Sequence, residues 1–220
     1  MASRTFQTES RTKKDPNSII INERPHTMPT TYFILIGAVG TGKTTLSRAI
    51  LESAQEKAPG ARVRDATFNK TLRDTPGRRY AKTRFRGTRA VYSMIDPWDS
   101  FISVETALLH NREPADIGIY VVNAELGPRK EDGFALEAFG QLRANRVVLF
   151  ITHAENMDRQ AVEGVIAASR RFLGEFGFVR GDIKEVVGSA EWALKGRDDR
   201  QMGTSAIERL LVILDNAFPR

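Results

Sequence analysis

The segment TYFILIGAVGTGKTTLSRAI, residues 31 to 50, constrains the fold more than any other part of the chain. Within it Gly37, Gly40, Gly42, Lys43 and Thr44 satisfy the pattern G-x-x-x-x-G-K-[ST]. An apolar, β-branched run leads into the motif and a helical pattern leads out, which is the strand–loop–helix setting that gives it meaning. Glycines let the backbone curl so that successive N–H groups converge on one phosphate, and the start of the helix adds its dipole. Lys43 is expected at the β- and γ-phosphates of a nucleoside triphosphate, and the Thr44 hydroxyl on Mg²⁺. Ala38, Val39, Thr41 and Thr45 complete the predicted nucleotide-binding cradle.

The rest of the chain extends this unit. Short apolar runs alternate with longer helical patterns: AVYSMI before a helix through residues 103–111, IGIYVV before one from about Glu131 to Leu142, VVLFI before one from about Arg159 to Phe176, and KEVV before one from about Thr204 to Ala217. Strands of four to six residues alternating with helices of ten or more predict βαβ units. The expected fold class is α/β, a three-layer, mostly parallel, doubly wound sheet. KTRFR, residues 82–86, is expected as an antiparallel edge strand. Residues 1–29 are polar, carry Pro16, Pro25 and Pro29 and show no sustained period, so they are expected to form a disordered tail ahead of one domain over 30–220.

Composition narrows the function classes. The chain has 220 residues and no cysteine, which excludes disulfide scaffolds and thiolate metal sites. No apolar run approaches the length of a membrane span, and the N-terminus lacks a secretory apolar segment, so a soluble cytoplasmic protein with no membrane partner is expected. Its Arg/Ser/Thr-rich start also resembles an organelle transit peptide, against which stand Glu9, Asp15 and the missing apolar face. The net charge of +6 is concentrated: residues 61–90 hold ten Lys/Arg against two Asp/Glu. Such a cluster suits a polyanion, either a nucleic acid, an acidic protein or the phosphates of the bound nucleotide, with a solvated arginine-rich loop as the plain alternative. His26, His110 and His153 have no metal-ligand spacing.

The stretches PADIGIYVVNAELGPRKEDGFALEAFGQL, EFGFVRGDIKEVVGSAEWALKG and LDNAFP resemble, in order, the GTP-binding domain of elongation factor Tu and related translational GTPases. The resemblance runs from about Tyr32 to Pro219 and implies a P-loop GTPase domain standing alone. It implies GTP or GDP as ligand, Mg²⁺ as cofactor, and Asp96 as the acidic residue that holds the ion through water. The family's D-x-P-G-H reads here Asp96-Pro97-Trp98-Asp99-Ser100, so Asp99 replaces the glycine whose N–H meets the γ-phosphate and Ser100 replaces the water-placing histidine. Asp96 and Ser100 are the implied catalytic positions, and the losses imply slow hydrolysis. Thr75, in DTPG, is a candidate for the family's mobile Mg²⁺-binding threonine. The base-reading N-K-x-D reads Thr152-His153-Ala154-Glu155: Glu155 keeps a carboxylate for guanine, and His153 has a ring to stack on it. Ser189 and Ala190 retain the loop whose backbone N–H meets guanine O6. The expected function is a slowly hydrolysing GTP-binding switch. Two alternatives are a nucleotide-binding pseudo-GTPase without turnover and a P-loop kinase.

Overall fold

The computed structural model describes residues 30–57, 80–86, 91–97, 115–141, 146–178 and 183–217. In chain order the elements are β1 (Thr30–Ile36), α1 (Lys43–Lys57), β2 (Tyr80–Arg86), β3 (Val91–Pro97), β4 (Ile117–Asn123), α2 (Lys130–Gly140), β5 (Arg146–Thr152), α3 (Arg159–Glu175), β6 (Ile183–Val187), α4 (Ala190–Leu194) and α5 (Thr204–Asn216). The six strands form one sheet in the order β2-β3-β1-β4-β5-β6. Five run parallel, and β2 lies antiparallel to β3 at the edge, with Ala81 opposite Asp96. The expected α/β class, the parallel sheet and the antiparallel KTRFR edge are all present. The tail, Thr75, Asp99, Ser100, the helix expected at 103–111 and most of the basic segment lie outside the described residues.

The apolar runs explain the layering. Along β1, Phe33 and Leu35 enter one core while Ile34 and Ile36 enter the other. The same alternation sends Val148 and Phe150 of β5 to the first core and Val147, Leu149 and Ile151 to the second. A strand buried on both faces needs apolar residues throughout, hence the continuous runs in the sequence. The first core is closed by α1 through Leu46, Ala49 and Ile50 and by α5 through Ile207, Leu210, Leu211 and Leu214. The second is closed by α2 through Ala135, Leu136 and Phe139, and by α3 through Leu173. Helices thus cover both faces, giving three layers around two cores. No helix among the described residues is long and apolar enough to cross a membrane.

Helix starts follow from short polar residues. Asp158 caps α3 by accepting from Ala161 N at 2.7 Å, and Ser189 caps α4 by accepting from Trp192 N at 3.3 Å. α4 itself was not anticipated, since five residues are too few to show a period. The parallel strands direct the loops after β1, β3, β4, β5 and β6 to one end of the sheet, where sites in such folds are built.

Candidate functional site

The loop after β1 is held open by its glycines. Gly37, Gly40 and Gly42 have φ of +149°, +82° and +92°, a region closed to most residues. At Gly37 a side chain would also collide with Val121 O, so the loop passes tightly over β4 because that position has none. Lys43, buried as the first residue of α1, folds back to donate to Gly37 O at 2.8 Å and Ala38 O at 2.9 Å. Thr41 closes the turn by donating its hydroxyl to Ala38 O at 3.0 Å. Val39 stands at the tip, 63% exposed.

Behind the loop lie two buried carboxyl groups. Asp96, at the end of β3, is 3% exposed. Its Oδ2 accepts from Ser47 Oγ at 3.2 Å, while Oδ1 is buried with no hydrogen-bond partner. Burial pushes its carboxyl above the usual range, against the Ser47 and Thr44 hydroxyls and the Lys43 charge, which all favour ionisation. An orphaned carboxylate oxygen beside the Thr44 hydroxyl fits a hydrated divalent cation, because a cation or its water supplies the missing partner. Asp132, on the first turn of α2, accepts from Tyr120 Oη at 2.8 Å and Arg129 N at 2.9 Å. Burial raises its carboxyl too; its Oδ1 makes no full hydrogen bond, although the Ala38 amide is near enough to favour ionisation. Among the described residues no group of three or more His, Cys, Asp or Glu could cage a metal. Any cation here would share its ligands with hydroxyls, water or a bound anion.

The loops after β5 and β6 meet the same helix start. A pocket of about 50 Å³ is lined by Gly42, Thr45, Thr152, His153, Glu155, Ser189, Ala190 and Glu191. Five of these eight are the positions expected to read a base, and two belong to the glycine loop and α1. Thr152 Oγ1 lies 2.9 Å from Thr41 O and 3.2 Å from Val122 O, so its hydroxyl ties the glycine loop to the sheet instead of facing the pocket as a reader. His153 adopts φ +56°, uncommon for a residue with a side chain, and is exposed. Ser189 N–H is taken by Met202 O, which leaves the Ala190 N–H as the loop's candidate donor.

Asp96, Lys43, Thr44 and the glycine loop are brought together, and so are Thr152, His153, Glu155, Ser189 and Ala190. Three further residues were not anticipated. Ser47 follows Lys43 by one helical turn and steadies Asp96. Asp132 sits beneath Ala38, and Glu191 follows the Gly188-Ser189-Ala190 loop directly. In sequence Glu191 was visible by adjacency alone, and the other two carried no signal. Trp192 is packed against the second core with the Arg197 guanidinium 4.3 Å from its ring centroid. No protein-family model matches the chain.

Proposed function

We propose that this chain is a P-loop GTPase domain of the translational type that binds GTP and GDP with Mg²⁺ and hydrolyses GTP slowly, as a switch. The observation that carries the reading is the convergence, at one end of a parallel sheet, of a positive-φ glycine loop with the Thr152–Glu155 and Ser189–Ala190 positions around the start of α1. Phosphates suit the loop amides and the Lys43 ammonium, and the base suits the pocket some residues away, so the two ends of one nucleotide find separate, opposite chemistries. Glu155 is the acceptor for the N–H edge of guanine, and the Ala190 N–H is the donor for its O6. Mg²⁺ would be held by Thr44 with Asp96 behind it, and when bound it offsets charge on the β- and γ-phosphates. Lys43 gives up loop carbonyls for phosphate oxygens, a charge-assisted contact in a buried setting.

Slow turnover follows from the replaced residues. Asp99 adds a carboxylate where a γ-phosphate donor is expected, and Ser100 is a weaker water-placing group than histidine. Arg73, Arg78, Arg79, Arg84 and Arg86 are the cations in sequence able to act in cis, a role associated with gains of ~10³-fold or more. The test is calorimetric binding of GTP, GDP and ATP, followed by single-turnover cleavage in the parent, Lys43→Ala and each Arg→Ala variant. GTP binding that falls at least about 100-fold in Lys43→Ala, with slow cleavage in the parent, is expected. A clear ATP preference overturns the guanine assignment, and binding without any cleavage favours the pseudo-GTPase.

A further inference from the structure

Asp132 does more than its helix requires. It is the third residue of α2, and its Oδ2 accepts from Arg129 N at 2.9 Å, the contact of a capping box. A cap of that kind needs one oxygen and works as well at the surface. Asp132 is instead 1% exposed, and Tyr120 of β4 spends a buried hydroxyl on the same Oδ2 at 2.8 Å. Its Oδ1 is buried without a full hydrogen bond. Capping therefore accounts for Oδ2 alone. The other backbone donor that the structure places beside this carboxyl is the Ala38 amide of the glycine loop. Burial, the largest influence, raises the carboxyl, and the Ala38 amide is close enough to act against it.

That amide shares a rigid plane with a group that holds Lys43. Ala38 N–H and Gly37 C=O belong to one trans peptide unit, so they point in opposite directions. On one side Gly37 O accepts from Lys43 Nζ at 2.8 Å. On the other side the N–H is directed at Asp132. The carboxylate and the ammonium thus grip one peptide unit from opposite faces, and Lys43 is near enough for its charge to favour the Asp132 carboxylate. Gly37 has no side chain to restrain the turning of that unit, so the grip has to come from its two neighbours. A charged acceptor on the N–H also polarises the amide, which makes Gly37 O a better acceptor for Lys43.

We propose that Asp132 is a positioning residue for the nucleotide: by taking the Ala38 N–H it fixes the Gly37–Ala38 peptide, and through Gly37 O it sets the position from which the Lys43 ammonium meets the β- and γ-phosphates. The inference rests on the reading of the glycine loop as a phosphate site. Tyr120 and Arg129 N hold the carboxylate in turn, and the Tyr120 ring stacks on Phe172 of α3 with centroids 6.5 Å apart. The aim of Lys43 is thereby referred to β4 and two helices and not to the loop alone. The Asp132 charge opposes a phosphate, but the peptide plane and Lys43 stand between them, and the ammonium offsets it. Position outweighs repulsion, so removing Asp132 weakens nucleotide binding.

The test uses the full chain with Asp132→Ala and the volume-conserving Asp132→Asn, each made in the parent and in Lys43→Ala. By ¹⁵N NMR without nucleotide, the Ala38 amide proton is expected to move upfield and to exchange about ten-fold or more faster in Asp132→Ala, while the Phe139 amide, at the far end of α2, is unchanged. GTP and GDP affinities, read by calorimetry and competition, are expected to fall about ten-fold or more in Asp132→Ala and in the same direction in Asp132→Asn, whose single oxygen cannot serve both Arg129 N and Ala38 N. In the Lys43→Ala background the same changes are expected to cost less than about two-fold, since the group that Asp132 aims is gone. Equal losses in both backgrounds would mean that Asp132 only supports the fold, which overturns the proposal. Unaltered Ala38 exchange overturns it too, as does tighter binding, in which repulsion has won. A parent that binds no nucleotide overturns the phosphate reading instead, and the Ala38 amide still decides whether Asp132 holds the loop.

Discussion

Asp96 is a buried carboxylate whose Oδ2 accepts from Ser47 and whose Oδ1 has no hydrogen-bond partner. Its burial holds the folded-state carboxyl above the usual range. The folded chain therefore binds this proton more tightly than the unfolded chain does. The resulting stability is present at low pH and is lost as pH rises from the ordinary carboxylate range through the raised value. Asp96→Asn removes the ionisation while keeping the shape. It is expected to stabilise the nucleotide-free protein near neutral pH by about 1 kcal/mol, measured by urea denaturation, and to flatten that pH dependence. The same substitution is expected to weaken Mg²⁺-dependent GTP binding at least about ten-fold, because an amide cannot supply the negative charge that stands behind the ion. A variant that loses stability at neutral pH would mean that Asp96 is already well partnered without nucleotide. A residue that costs stability on its own and gains it from a bound ligand is the usual mark of a binding site.

At the level of elements the informative contact is between β5 and the loop before α1. Thr152 ends β5 and its hydroxyl lies 2.9 Å from Thr41 O, so the end of β5 and the glycine loop share one bond. Thr152→Val keeps the volume and removes the donor, leaving the buried Thr41 carbonyl short of a partner, at about 1–3 kcal/mol of stability. It is expected to weaken GDP and GTP alike by a similar factor, whereas Thr152→Ser keeps the donor and most of the affinity; melting temperature and calorimetric affinity read the two. An unaffected affinity in Thr152→Val would remove the tie from the account. Elements were legible in the sequence wherever burial is periodic. β1, β4 and β5 are continuous apolar runs because both faces are covered, and the α5 stripe of Ile207, Leu210, Leu211 and Leu214 has helical spacing. Ser47 and Asp96 are 49 residues apart in the chain, and a periodic pattern carries no record of such a pairing. The role of Thr152 was hidden for the same reason, since its partner sits 111 residues earlier. The boundaries of α2, α3 and α5 fall within one or two residues of expectation, as terminal turns have weak signals.

For the whole molecule, the parallel order separates two ends of the sheet. The loops leaving β1, β3, β4, β5 and β6 gather at one end with Lys43, Asp96, the Thr152–Glu155 segment and Ser189. The chain enters β5 and β6 at the other end, after α2 and α3 have run back across the sheet. Distance between these ends is set by strands of five to seven residues, which span about 17–23 Å. This polarity has a practical consequence for building with the protein. A short glycine-serine insert placed directly before Arg146, where β5 begins, adds chain at the end remote from the glycine loop, and lengthening a connection costs little in closure entropy. Such an insert is expected to leave GTP affinity within about three-fold of the parent, while the same insert between Glu155 and Asn156, just past β5 at the site end, is expected to abolish it. A fluorophore, an affinity handle or a whole guest domain therefore has a natural port of entry at the end of the molecule where the strands begin.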